Sequence, residues 1–270
     1  MTKQKIIYNP KEATSDIQKG GSCTIHSITN AMELNLYRTI NLSISIFADV
    51  IYQWGIQAMD FRYNFDSAEE MIRKFEEEFG GLPAYIRDTD EFTFVRLDRI
   101  RKIKGTDAID PDAQYDNPLQ PGVNIKTKSH HIATFLSKGC GVVMAHPVYW
   151  YTYEHFVAGE NNTNTLWFPP YEGKKFVNPD NKSYHAVSLS GYDKHWRDNQ
   201  LFTIQGSYGT SFGDGGVYYL KQEDMIKFCS DFRTVIAMEK TYEPTSEERM
   251  KLLSGLNIGS KFTEKLYNIL

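Results

Sequence analysis

Apolar residues recur three and four apart from Cys23 to about Tyr37, at Ile25, Ile28, Ala31, Met32 and Leu36. Ser22 stands just ahead of them, so the pattern predicts a helix with Ser22 as its N-cap and Cys23 in its first turn. A second short helix is predicted from Ser43, through Ile44, Ile46, Phe47 and Ala48. A third opens with the capping box Ser67-Ala68-Glu69-Glu70, carries the stripe Met71, Ile72, Phe75 and Phe79, and ends at Gly80-Gly81. Its glutamate-rich opposite side reads as solvated surface. Further on, residues 129–138 read as helix and 140–146 as a buried strand. Strand-like runs follow from His185 to Tyr192, from Leu201 to Gln205 and over residues 232–238. The middle one leads into a glycine-studded loop between Gly206 and Gly216.

Polar segments divide these blocks. Residues 104–124 contain Pro111, Pro118 and Pro121 and few large apolar side chains, which predicts a surface connection between two halves. Residues 160–182 form a second polar loop. Beyond Thr245, a capping box at Thr245-Ser246-Glu247-Glu248 precedes Leu252, Leu253 and Leu256, then Phe262, Leu266, Ile269 and Leu270, predicting two small helices. No internal repeat is present. Helices first, then strands with turn signals, predict an α+β fold of two lobes with a cleft between them. The helical left lobe is expected mainly over 18–110. The β-rich right lobe is expected over 120–240 with the N-terminal segment, and 241–270 forms an extension.

Composition narrows the function classes. A chain of 270 residues with 41% apolar and 24% charged residues is ordinary for a globular protein. A net charge of −4 gives no electrostatic case for nucleic acid or a membrane surface. No apolar stretch approaches the ~18–20 residues that span a bilayer. The start, Met1 to Pro10, lacks the apolar core of a signal peptide. Cys23, Cys140 and Cys229 are an odd, widely spaced set, so no disulfide framework is expected and a reducing compartment is, cytoplasmic or virus-enclosed. Cys23 and His26 have the spacing of half a zinc site, but no second pair completes it, and no metal or other cofactor is expected.

Two segments carry a resemblance. Ser183-Tyr184-His185-Ala186-Val187 with Gly191-Tyr192, and Gly206-Ser207-Tyr208-Gly209 with Phe212-Gly213, resemble the His-Ala-Val…Gly-Tyr and Asn-Ser-Trp-Gly…Trp-Gly segments of papain-like cysteine peptidases. Gln18-Lys19-Gly20-Gly21-Ser22-Cys23 is similar to the family's Gln…Gly-x-Cys segment. Leu42-Ser43, Phe79-Gly80-Gly81-Leu82 and the run from Ile132 to Ala145 are weaker matches, and the likeness covers about residues 15–240. The resemblance implies Cys23 as nucleophile, His185 as acid and base, and Gln18 with the Cys23 N–H as donors to an oxyanion. A helix N-terminus and a neighbouring imidazolium are each expected to lower the cysteine pKa. Three departures stand out. Gly206 occupies the place of the asparagine that orients the imidazole, while Gln205 is expected on the opposite strand face. Gln18 precedes Cys23 by one residue fewer than in the family, and Thr24 replaces a tryptophan. Only Gly55 lies near the family's substrate-cleft Gly-Gly, and it reads equally as an ordinary turn. The short stretch before Gln18 implies no inhibitory propeptide.

Two functions are therefore expected in competition. One is a cysteine peptidase, or an amide or isopeptide hydrolase, acting on a peptide or protein substrate. The other is a catalytically weak or inactive papain-like module with a structural or binding role. The apolar C-terminal helices are expected to dock on the same chain, or against a protein partner or second copy.

Overall fold

The structure, a computed structural model, describes residues 5–6, 13, 17–18, 20–89, 91–103, 125–149, 171–172, 175–176, 182–196, 199–238 and 245–247. The expectations for 104–124, most of 160–182 and the C-terminal helices lie outside those residues.

Helix α1 (Cys23–Ile40) is buried on every side from Thr24 to Leu36, polar residues included. A helix so enclosed must satisfy its polar side chains internally. Glu33 accepts the Ile46 N–H at 2.7 Å and pairs with the Arg87 guanidinium at 3.0 Å. Asn35 donates to the Gly139 carbonyl and accepts the Ala237 N–H, both at 2.8 Å. Arg38 donates to the Ser190 carbonyl. The helix stops at Asn41, whose left-handed φ of 58° lets its N–H reach the Tyr37 carbonyl at 2.9 Å.

The left lobe holds β2 (Ile44–Ile46), α2 (Ala48–Ala58), α3 (Phe65–Phe79), β3 (Leu82–Ile86) and β4 (Glu91–Val95). The expected helix from Ser43 is corrected here: Ile44-Ser45-Ile46 is an antiparallel strand beside β3, and α2 begins at Ala48. Alternating isoleucines suit a pleated, half-buried strand better than a helix. Helix α3 starts two residues before the capping box, because Asn64 accepts the Ser67 N–H at 2.8 Å. Its expected end is correct, with Gly80 at φ 82°. Gly55 is no turn. It lies inside α2, where a Cβ would come within 2.2 Å of Met71 on α3.

The right lobe is a seven-stranded sheet in the order β11-β10-β9-β6-β12-β5, with β1 also paired to β9. Its strands are β1 (Lys5–Ile6), β5 (Leu97–Lys102), β6 (Gly141–Tyr149), β9 (Lys182–Trp196), β10 (Asn199–Gln205), β11 (Val217–Lys221) and β12 (Ser230–Ala237). Two-residue strands β7 (Tyr171–Glu172) and β8 (Lys175–Phe176) pair only with each other. The sheet packs one face on α1, through Val143, Ala186, Val235 and Ala237. Its other face packs Val142, Met144, Val187, Leu189 and Ile204 with α4 (Ile125–Ser137) and α5 (Gln222–Phe228). His185 lies three residues inside β9 and does not lead it. Arg233 on β12 fastens the lobes: it is held by Asp231 beside it and by Asp66 at the start of α3, over the Phe65 ring. Among the described residues no helix is long and apolar enough to cross a membrane.

Helix and sheet touch closely at Gly141, where a Cβ would stand 2.1 Å from the Ala31 carbonyl oxygen. Backbone cannot yield there as a flexible side chain could. Gly141→Ala is therefore expected to cost roughly 1–3 kcal/mol in urea or thermal unfolding, by forcing α1 off the sheet. Unchanged stability would show that the contact is slack.

Candidate active site

Cys23 is the first residue of α1, half-buried, with Ser22 in the N-cap position. The cap is positional only: the Ser22 hydroxyl makes no capping bond and is buried without a partner. The cysteine sulfur faces three backbone N–H groups, those of Ala186, Thr24 and Cys23 itself. Two come from the open end of the helix. The third comes from β9, at the residue next to His185. In this way the fold brings the head of α1 and the histidine strand to one sulfur atom.

His185 is buried, and its ring stacks on Tyr208 at 4.7 Å with planes 21° apart. Its register partner on β6 is His146, itself buried and edge-on to Tyr218 at 5.7 Å. The Nε2 of His185 has no hydrogen-bond partner. At Gly206, where the resemblance expects the orienting asparagine, a Cβ would meet ring carbons of Tyr208 at 3.3 Å and Tyr218 at 3.7 Å. Gln205 pairs in register with Ser188, which places it on the sheet face away from His185.

Burial decides the charge state. It pulls the His185 pKa down to about 3, with the nearby His26 charge as the lesser cause. Burial also pushes the Cys23 thiol up, against the three N–H groups that favour its thiolate. The expected thiolate beside an imidazolium is therefore corrected. Both groups are neutral at rest, because desolvation outweighs the helix terminus when no counter-charge is bound to the ring.

Gln18 is anchored to the right lobe. Its N–H donates to the Ser207 carbonyl at 2.8 Å, its Oε1 accepts from the Ser207 hydroxyl, and its Nε2 donates to the Gly20 carbonyl at 3.0 Å. Ile17 is bridged to Tyr208 just before it. Two features were not legible as parts of this site. His26 is bonded through Nε2 to Asp49 at 3.0 Å, joining α1 to α2. Its only sequence signal was the Cys-x-x-His spacing, and the described residues hold no group of three metal-binding side chains. The second feature is aromatic. Tyr52 accepts the Gly21 N–H and hydrogen-bonds Tyr63, whose ring lies directly on Gly21. Phe61 packs edge-on to both, at 5.8 and 5.1 Å.

The fold is that of the papain-like cysteine proteases. Xylellain, a cysteine protease from Xylella fastidiosa, superposes with a TM-score of 0.54 at 17% identity, covering 87% of both chains. Digestive procathepsin L 3 from the larval midgut of Tenebrio molitor gives 0.53 at 12% identity, over 87% of this chain and 70% of that one. The cysteine protease and lectin-like domains of Cwp84, from Clostridium difficile, give 0.52 at 12%, over 90% and 53%. No protein-family model and no curated protein sequence matches the chain.

A buried neutral histidine gives stability a defined pH dependence. Below the ordinary value of 6.5 the unfolded chain takes up a proton that folded His185 refuses until about 3. Its contribution to stability is thus expected to fall as pH drops through that window. Glu76, raised to about 7 by burial, slopes the other way between 4.5 and 7, so the comparison must be with a variant. The difference between wild type and His185→Gln in urea unfolding should narrow steadily from pH 7 to pH 4. A difference that stays constant with pH would mean that folded His185 takes up its proton as readily as the unfolded chain does.

Proposed function

We propose that the chain is a cysteine peptidase, with Cys23 as nucleophile, His185 as acid and base, and Gln18 as oxyanion donor. The observation that carries it is the convergence of the Ala186, Thr24 and Cys23 N–H groups on one sulfur, one of them from the residue that follows the buried His185. The papain-like fold supports the same reading. The neutral pair sets the order of events. The thiol proton passes to His185 as sulfur attacks the carbonyl carbon, and the oxyanion forms beside the Cys23 N–H. Gln18 Nε2 turns from the Gly20 carbonyl to add a second donor. Collapse expels the amine, which takes its proton from His185, and water then cleaves the thioester. The chemistry needs no cofactor.

A second reading, an inactive papain-like module that binds without cleaving, draws on the partnerless His185 Nε2 and on Gly206. Turnover separates the two. The full chain incubated with a mixed peptide pool should yield cleaved products, and both Cys23→Ala and His185→Gln should lose at least ~10³-fold in kcat/KM. A folded wild type that yields no products would leave the binding module.

Gly206 offers a directional check. The site accepts a side chain there if Tyr208 gives by a few tenths of an ångström. Gly206→Asn supplies the imidazole with a polar neighbour and is expected to raise kcat by roughly tenfold or more, with little change in KM. An unchanged kcat in a folded variant would mean His185 is already held as the reaction needs.

A further inference from the structure

Two bulky apolar residues lie against the segments that carry the proposed site and are held in the open. Ile17 and Tyr63 are each 68% exposed, while among the described residues the other large apolar side chains are mostly buried. Single exposed apolar residues are ordinary on protein surfaces. These two differ in how they are seated. Each lies flat on a glycine of a loop that carries the site. A Cβ at Gly21 would be 2.2 Å from the Tyr63 ring, and one at Gly209 would be 2.5 Å from Ile17 Cγ1. Gly209 adopts φ +82°, a conformation that suits glycine and little else. Each residue is also fixed from behind. Tyr63 is bonded to Tyr52 and packed on Phe61, while Ile17 is bridged to Tyr208 through the backbone. One apolar face of each is thus pressed to the protein, and the other is presented ready-ordered to a ligand.

Each is tied to a different segment of the proposed site. Ile17 is bridged to Tyr208, whose ring stacks on His185. Tyr63 lies on Gly21, two residues before Cys23.

We propose that Ile17 and Tyr63 are specificity-determining residues, each selecting a bulky apolar side chain of a peptide held at the Cys23 site. This rests on the proposed function for the place of the site, but not on cleavage itself. Ordered apolar surfaces with few rotatable bonds lose little entropy when a ligand covers them.

The test uses the full chain as Cys23→Ala, which can hold peptides without cutting them, to select from a random peptide library. Selected peptides should carry two separated bulky apolar residues. Ile17→Asp should abolish selection at one of them and Tyr63→Ser at the other, each weakening the best peptide at least tenfold. Tyr63→Phe keeps the ring but not the hydroxyl bond to Tyr52, and should keep the preference. Peptides without apolar enrichment, or variants that select as the parent does, would overturn the proposal, as would loss of preference in Tyr63→Phe. The wild type run on the same peptides separates the two claims. Selection without any cleavage removes the peptidase reading alone. Cleavage without apolar preference removes this proposal alone, and no binding at all removes both.

Discussion

A helix enclosed by protein along most of its length has no solvent to fall back on, and α1 is such a helix. Its fully buried Glu33 carboxylate must be matched, and Arg87 and the Ile46 N–H match it, which fixes the small sheet to the helix. Removing one partner of a buried pair costs more than the pair contributes. Asn35 does the same toward β12 and the turn before β6. The two lobes are therefore registered through polar groups on one helix, while apolar contact supplies the bulk of the stabilisation. Cys23 inherits that precision because it opens the helix.

The site shows two electrostatic influences pulling against each other. The end of α1 and the β9 backbone turn N–H groups on the sulfur, which favours the thiolate. Around them the Tyr208 ring and the sheet core exclude water, which penalises any charge on His185. At both groups burial is the larger influence. A resting site of this kind carries no separated charge and is guarded by its own burial.

Much of this was legible in the sequence. The helical spacing after Cys23, the stripe of α3 with its Gly80 stop, and the strands around His185 and Gln205 all have periods long enough to read. Ile44-Ser45-Ile46 was misread because three residues cannot distinguish a period of two from 3.6. Gly55 was misread because its reason is the Met71 side chain on another helix, and no local pattern records that. The positions of Cys23, Gln18 and the histidine strand could be read because their neighbours are distinctive. Their charge states could not, since desolvation depends on everything packed around them. The Tyr52–Tyr63 link to Gly21 was invisible for the same reason: it joins separate segments.

The chain's first residues have a mechanical role that their shortness hides. Lys5 and Ile6 pair with β9 at Tyr192 and Asp193, beyond the point where β6 stops at Leu189. Ile17 and Gln18 are stitched to Tyr208 and Ser207 on the same lobe, and a few residues later the chain opens α1 beside the other. The segment that carries Gln18 is thus also a strap from the sheet to the head of α1. Any shift of the helix against the sheet tugs on Gln18 first, so the seating of α1 and the aim of that amide are geared together.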